Sequence, residues 1–176
     1  MRTAVVSFTL VLALPLGILV FGGADAAPAA KTKCEIAEQR QFDFWIGDWT
    51  VTDTAGVVQG TNNVEAVLGG CAVQEHWVGA DGSAGTSLNA YIKFPKKWHQ
   101  SWIADAGNML QLDGGLVGGK MVLEGPRPDG KGGTVRDRIT WTPMDANRVR
   151  QTWVASGDNG RSWSVVFDGI YARKRK

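Results

Sequence analysis

Cys71-Ala72-Val73-Gln74-Glu75-His76-Trp77-Val78-Gly79, then Ala80-Asp81-Gly82-Ser83, then Ala84-Gly85-Thr86-Ser87-Leu88-Asn89-Ala90-Tyr91-Ile92 form one continuous stretch, and its pattern decides the fold. In the first run Cys71, Val73, Glu75 and Trp77 share one parity, the period-two signature of a strand with two unlike faces. Asp81-Gly82 supplies the positive φ that a tight hairpin requires, and Asn89 and Tyr91 resume the alternation beyond it. The same device repeats in both directions. Segments rich in Val, Thr, Trp, Ile and Tyr lie near 48–54, 58–68, 71–79, 84–94, 98–105, 108–114, 119–125, 133–142, 147–156 and 162–173. Between them stand turn clusters such as Gly69-Gly70, Asp113-Gly114-Gly115, Gly118-Gly119 and Asp129-Gly130.

None of these gaps has room for a crossover helix, so consecutive strands pair antiparallel in meander order. An open sheet of about ten strands would leave two long edges exposed, and closure removes them. The expected fold is therefore all-β, an antiparallel meander closed into a barrel, with a two-sheet sandwich as the alternative. The one helical stretch is Glu35 to Ile46, whose apolar residues keep no clean 3.6 period, so one or two turns are expected there.

The N-terminus reads as an export signal. Arg2 precedes an apolar run from Ala4 to Phe21, and Ala24-Asp25-Ala26 has the small-x-small form of a cleavage site, placing the cut near Ala26 or Ala27. The alternative is an uncleaved anchor, which Pro15 and Gly17 weaken as a permanent span. The organisation that follows is a signal peptide over 1–27, an N-terminal segment over 28–40 and a barrel domain over 41–176, in a protein secreted or delivered to a periplasm. No stable membrane insertion is expected after cleavage. Net charge is +2, and the terminal Arg173-Lys174-Arg175-Lys176 run exceeds that by itself, so the charge points to no nucleic-acid partner. Cys34 and Cys71 both fall in the exported part, where an oxidising compartment favours a disulfide. Closing a loop of that length contributes about 3–4 kcal/mol on the chain-entropy account.

Phe42-Asp43-Phe44-Trp45-Ile46-Gly47-Asp48-Trp49 is the most distinctive run in the chain. Gly47-Asp48-Trp49 resembles the Gly-x-Trp opening of lipocalins and related calycin barrels. The longer run is similar to the start of a bacterial family of uncharacterised lipocalin-like domains. The likeness continues through Cys71-x3-Glu75-x-Trp77, Trp98-x-Gln100-x-Trp102 and Tyr171-x-Arg173. It implies a calycin-type barrel in which Trp49 plugs the closed end beneath Arg173, a structural role. It brings no activity with it.

Ser156-Gly157-Asp158-Asn159-Gly160-Arg161-Ser162-Trp163 has the Asp-box form found in sialidases and other propellers. A propeller needs several copies in a longer chain. One copy means a well-made turn, in which Asp158 holds backbone amides, Gly160 takes the left-handed position and Trp163 packs under the hairpin.

The residues that bear on function lie at alternate positions. Glu75 and Trp77 share a face of the third strand, Asn89 and Tyr91 of the fourth, Trp98, Gln100 and Trp102 of the fifth, Gln151 and Trp153 of the ninth. Turned inward, they give aromatic walls with a few polar groups, the composition of a small-molecule pocket. A barrel of about ten strands is also too wide for its side chains to fill. The competing reading is a filled core whose polar groups satisfy one another. Glu75 discriminates between them, because an inward carboxylate must be paired or neutralised. Arg136 and Arg138 are its candidate partners. If it is unpaired, Glu75 becomes the one weak candidate for a general acid or base.

His76 and His99 fall on the opposite parity, outward, and assemble neither a metal site nor a catalytic triad with the other residues. No metal or cofactor is implied. The sequence thus points to an exported barrel that binds a small hydrophobic or amphipathic molecule. Two alternatives stand beside it: an enzyme using Glu75, or an interaction domain with a filled barrel that works through its rim loops near 79–85 and 125–133.

Overall fold

Alternation of apolar and polar side chains, broken at short glycine-bearing turns, produces ten strands and almost nothing else. A computed structural model describes Cys34 and residues 36–175; the expected signal segment and its cleavage site lie outside the described residues. The strands are β1 (Gly47–Thr52), β2 (Val58–Val67), β3 (Ala72–Gly79), β4 (Ala84–Ile92) and β5 (Lys97–Ala104). They continue as β6 (Met109–Val117), β7 (Lys120–Pro128), β8 (Thr134–Asp145), β9 (Arg148–Ser156) and β10 (Ser164–Arg173). Each pairs antiparallel with its neighbours in the chain, and β1 pairs with β10 to close the barrel. Closure sets Trp49 opposite Arg173 and Val51 opposite Tyr171. Before β1 the chain makes two 3-10 turns, Ala37–Arg40 and Asp43–Trp45. Among the described residues no helix is long and apolar enough to cross a membrane.

One predicted turn is not a turn. Asp113-Gly114-Gly115 lies inside β6, with Gly114 opposite Trp98 on β5, and neither glycine has a positive φ. The glycine is there for close approach: a Cβ on Gly114 would stand 2.0 Å from the Val122 carbonyl oxygen of β7.

The two 3-10 turns fold under one end of the barrel and seal it. Phe42, Trp45, Trp49, Trp98, Trp141 and Tyr171 are fully buried. Phe42 stacks on Trp45 at 4.9 Å and meets Trp141 edge-on at 5.1 Å, while Trp45 lies 5.3 Å from Trp141. The Trp49 indole donates to the Trp45 carbonyl (2.9 Å), and the Trp98 indole to Gln41 Oε1 (3.1 Å), so these two rings enter the core with their N–H groups satisfied, whereas the buried Trp45 Nε1 finds no partner among the described residues. Arg173 lies 4.3 Å over the Trp49 ring and donates Nη1 to the Ile46 carbonyl at 3.0 Å. Gly47 makes this possible, because a Cβ there would sit 2.0 Å from Arg173 Nη1. Cys34 and Cys71 form a disulfide with Cα atoms 5.1 Å apart, tying the segment to the start of β3.

Candidate functional site

The opposite end is not sealed. A cavity of about 210 Å³ occupies the lumen there, in contact with Glu75 and Trp77 of β3, Gln100 and Trp102 of β5, and Gln151 and Trp153 of β9. Leu110, Ile139, Trp141, Val166, Phe167 and Tyr171 complete its lining. Burial falls along the barrel axis. Glu75, Gln100, Trp141 and Tyr171 are buried in the floor, Trp77, Trp102, Trp153 and Phe167 are partly exposed, and Val166 at the lip is 47% exposed. An apolar cavity of about 150 Å³ already admits a benzene ring, so this one has room for a ring and a short head group.

Glycines on the inner face keep the lumen open. A Cβ on Gly60 would stand 2.7 Å from the Trp77 ring, on Gly85 2.3 Å from Trp102, and on Gly169 2.5 Å from Phe167. Each ring occupies the space that a side chain at its glycine would fill. Trp77 and Phe167 meet edge-on at 6.1 Å. Trp153 is fixed by its indole, which donates to Asp137 Oδ1 at 2.8 Å.

The floor is a polar network built around Glu75. Register places Glu75 opposite Val64 on β2 and Ser87 on β4. Asn62 Nδ2 donates to Glu75 Oε1 at 2.6 Å and Ser87 Oγ to Oε2 at 2.7 Å. Asn89 donates to Ser87 Oγ (2.9 Å) and to the Val73 carbonyl (3.1 Å), and Gln100 Nε2 donates to Asn89 Oδ1 (2.9 Å). The Tyr171 hydroxyl donates to Gln151 Oε1. Burial lifts the Glu75 carboxyl from 4.5 to about 7, against the lowering pull of the Ser87 and Asn62 hydrogen bonds. Burial, then the nearby charge of Glu75, raises the Tyr171 hydroxyl well above its ordinary 10. Among the described residues the buried Asn62 Oδ1 and Trp141 Nε1 find no hydrogen-bond partner, so the floor retains unspent polar valence.

Arg136 and Arg138 do not neutralise Glu75, contrary to expectation. Both lie on the outer face of β8 and engage Glu124 of β7, Arg136 at 3.1 Å. The inward residue between them is Asp137, fully buried and 2.7 Å from Arg127 Nε. Two buried carboxyls thus contrast: Asp137 of β8 has a cation beside it, and Glu75 of β3 has none among the described residues.

Six of the nine expected binding residues meet at the cavity: Glu75, Trp77, Gln100, Trp102, Gln151 and Trp153. Asn89 lies in the network beneath it. Tyr91 and Trp98 belong to the sealed end, 6.3 Å apart, with Trp98 edge-on to Phe42. Asn62, Ser87 and Trp141, and Tyr171 outside its Tyr171-x-Arg173 motif, carry no sequence signal for the site, although each shares the inward face of its strand. The Asp-box turn is built as expected. Asp158 accepts from Arg161 N (3.0 Å), Ser162 N (2.9 Å) and the Ser162 hydroxyl (2.6 Å), and Trp163 donates to the Gly160 carbonyl. Those bonds, the Ser162 hydroxyl first, hold the Asp158 carboxyl down at about 2.

His76 faces outward and His99 pairs with Asp113 at 2.9 Å on the outer surface. Among the described residues no group of three or more His, Cys, Asp or Glu side chains is placed to hold a metal ion. No protein-family model matches the chain, and no curated protein matches it in sequence.

Proposed function

We propose that the protein is an exported lipocalin-like binding barrel that holds a small molecule with an apolar body and a polar end. One observation carries this reading: the aromatic-walled cavity of about 210 Å³ over a polar floor of Glu75, Gln100 and Gln151. Pockets for small ligands have this composition, mostly apolar with a few placed polar groups. The Cys34–Cys71 bond is of a kind that oxidising compartments sustain, which supports export. The test is quenching of intrinsic tryptophan fluorescence by small aromatic probes. Saturable quenching in the intact protein, weakened at least about tenfold in Trp102→Ala, is the expected result. Probes that leave the emission unchanged at millimolar concentration would remove the reading.

A second reading, an enzyme acting on a small hydrophobic substrate, is favoured by one feature, the Glu75 carboxyl poised near 7 beside the cavity. It requires that turnover of a cavity-sized substrate disappear in Glu75→Gln. Full activity in that variant would exclude it.

A further inference from the structure

We propose that the guest is an organic cation, with an apolar body of about one ring and an ammonium head seated against Glu75; the inference rests on the binding reading above. Charge balance in the lumen is its basis. Among the described residues the lining contains one carboxyl and no Lys, Arg or His. Asp137, the other inward carboxylate, has Arg127 at 2.7 Å. Glu75 has only neutral donors, Asn62 and Ser87, one on each oxygen. An ionised carboxylate offers about four acceptor positions, so two remain for N–H groups of a guest. An ammonium there supplies the counter-charge that the barrel withholds, and its bond to the carboxylate is of the strong, charge-assisted kind. Every neighbouring element agrees. β2 presents Asn62 and Val64 to Glu75, β4 presents Ser87, and β10 presents Tyr171, whose hydroxyl stays protonated. The walls agree as well, since tryptophan faces attract cations. A carboxylate guest would instead bring a second negative charge into a water-poor site.

The rim points the same way. Each of the five turns at the open end carries an aspartate: Asp53, Asp81, Asp105, Asp129 and Asp158. All five accept backbone amides, so they are held in place around the mouth. The same turns contain two cations, Lys131 and Arg161. At the sealed end the β4–β5 connection carries Lys93 and Lys96 with no carboxylate. A negative ring at the mouth of a low-dielectric channel concentrates cations there and speeds their entry.

Three probes of one shape decide the matter: 2-phenylethylamine, 2-phenylethanol and 3-phenylpropanoate, each titrated calorimetrically into the intact protein. The two conditions are about pH 8.5 and about pH 5.5, on either side of the Glu75 pKa of about 7. At the higher pH the amine should bind roughly tenfold or more tighter than the alcohol, with the carboxylate weakest. That margin should shrink at the lower pH and vanish in Glu75→Gln. The pH comparison needs no variant, so it stands even if Glu75→Gln does not fold. A carboxylate that binds as well as the amine, or an amine no better than the alcohol at the higher pH, overturns the cation while leaving the binding barrel intact. If none of the three binds, both proposals fall.

Discussion

The two ends of this barrel are made of the same materials and put them to opposite uses. At the sealed end, Phe42, Trp45, Trp49 and Trp98 fill the lumen, and the indole N–H groups of Trp49 and Trp98 are spent on the protein itself. At the open end, Trp77, Trp102 and Phe167 take the space over Gly60, Gly85 and Gly169, and a cavity remains beside them. Charge divides in the same way. Arg173 at the sealed end is used up on Trp49 and the Ile46 carbonyl, whereas among the described residues no cation pairs with Glu75 under the open end. Aromatic content therefore does not tell a core from a pocket. What stands opposite each ring does.

The sharpest way to break this comparison is to shorten one tryptophan at each end. Trp45→Ala removes a fully buried ring from contact with Phe42, Trp141 and Tyr171, and should cost about 3–5 kcal/mol. Trp102→Ala removes a partly exposed ring at the mouth and should cost less than about half of that. Urea denaturation of the two variants measures the difference. Equal losses would mean that the open end is packed as core, and that the space between its rings does not exist in solution.

This distinction also marks how far the sequence could be read. Alternation from β1 to β10 announces the strands, the antiparallel order and which side chains share a face, because parity is a local property of the pleat. Height along the barrel axis is not local. It depends on register and on the closure of β1 against β10, and so Tyr91 and Trp98 look like pocket residues in sequence but lie at the sealed end. Tyr171 is hidden for the same reason, since β10 comes near Glu75 only once it has closed on β1, whereas Asn62 reaches Glu75 through the neighbouring β2–β3 pair. Arg136 and Arg138 share a parity, but the inward one of that strand belongs to Asp137, and nothing local says which parity of a polar run turns in. At Asp113-Gly114-Gly115, a composition typical of turns serves close packing between β6 and β7 instead.

A smaller effect tests the polar floor. The Glu75 carboxyl is raised from 4.5 to about 7, so between those values the folded protein keeps a proton that the unfolded chain has released. Stability contributed by the protonated form is complete below 4.5, declines as pH rises, and is lost above about 7. Across that interval the decline amounts to on the order of 3 kcal/mol. Denaturation midpoints collected over this range should show it in the parent protein and not in Glu75→Gln. If stability were instead flat or rising there, Glu75 would have to possess a counter-ion, and the contrast with Asp137 would disappear.

The smallest change in stability belongs to Gly85, and its contrast with Gly47 separates the two ends most finely. A Cβ on Gly85 would meet Trp102 Cζ2 at 2.3 Å and Cη2 at 2.4 Å, both at the far end of a side chain, and the Ile103 carbonyl at 3.0 Å. Trp102 is partly exposed and can swing off the wall, so Gly85→Ala should fold with stability within about 1 kcal/mol of the parent, helped by the lower chain entropy of alanine. The displaced ring then enters the channel. Affinity for a ring-sized probe should fall roughly tenfold while the far-ultraviolet spectrum stays unchanged. Gly47→Ala makes the opposite case. Its φ of +153° and the 2.0 Å approach to Arg173 Nη1 leave the guanidinium no room over Trp49, so stability should drop while affinity in the remaining folded protein holds. Should Gly85→Ala bind as the parent does, the seating of the Trp102 ring over Gly85 is not what keeps the lumen open, and the division of labour between the two ends loses its structural cause.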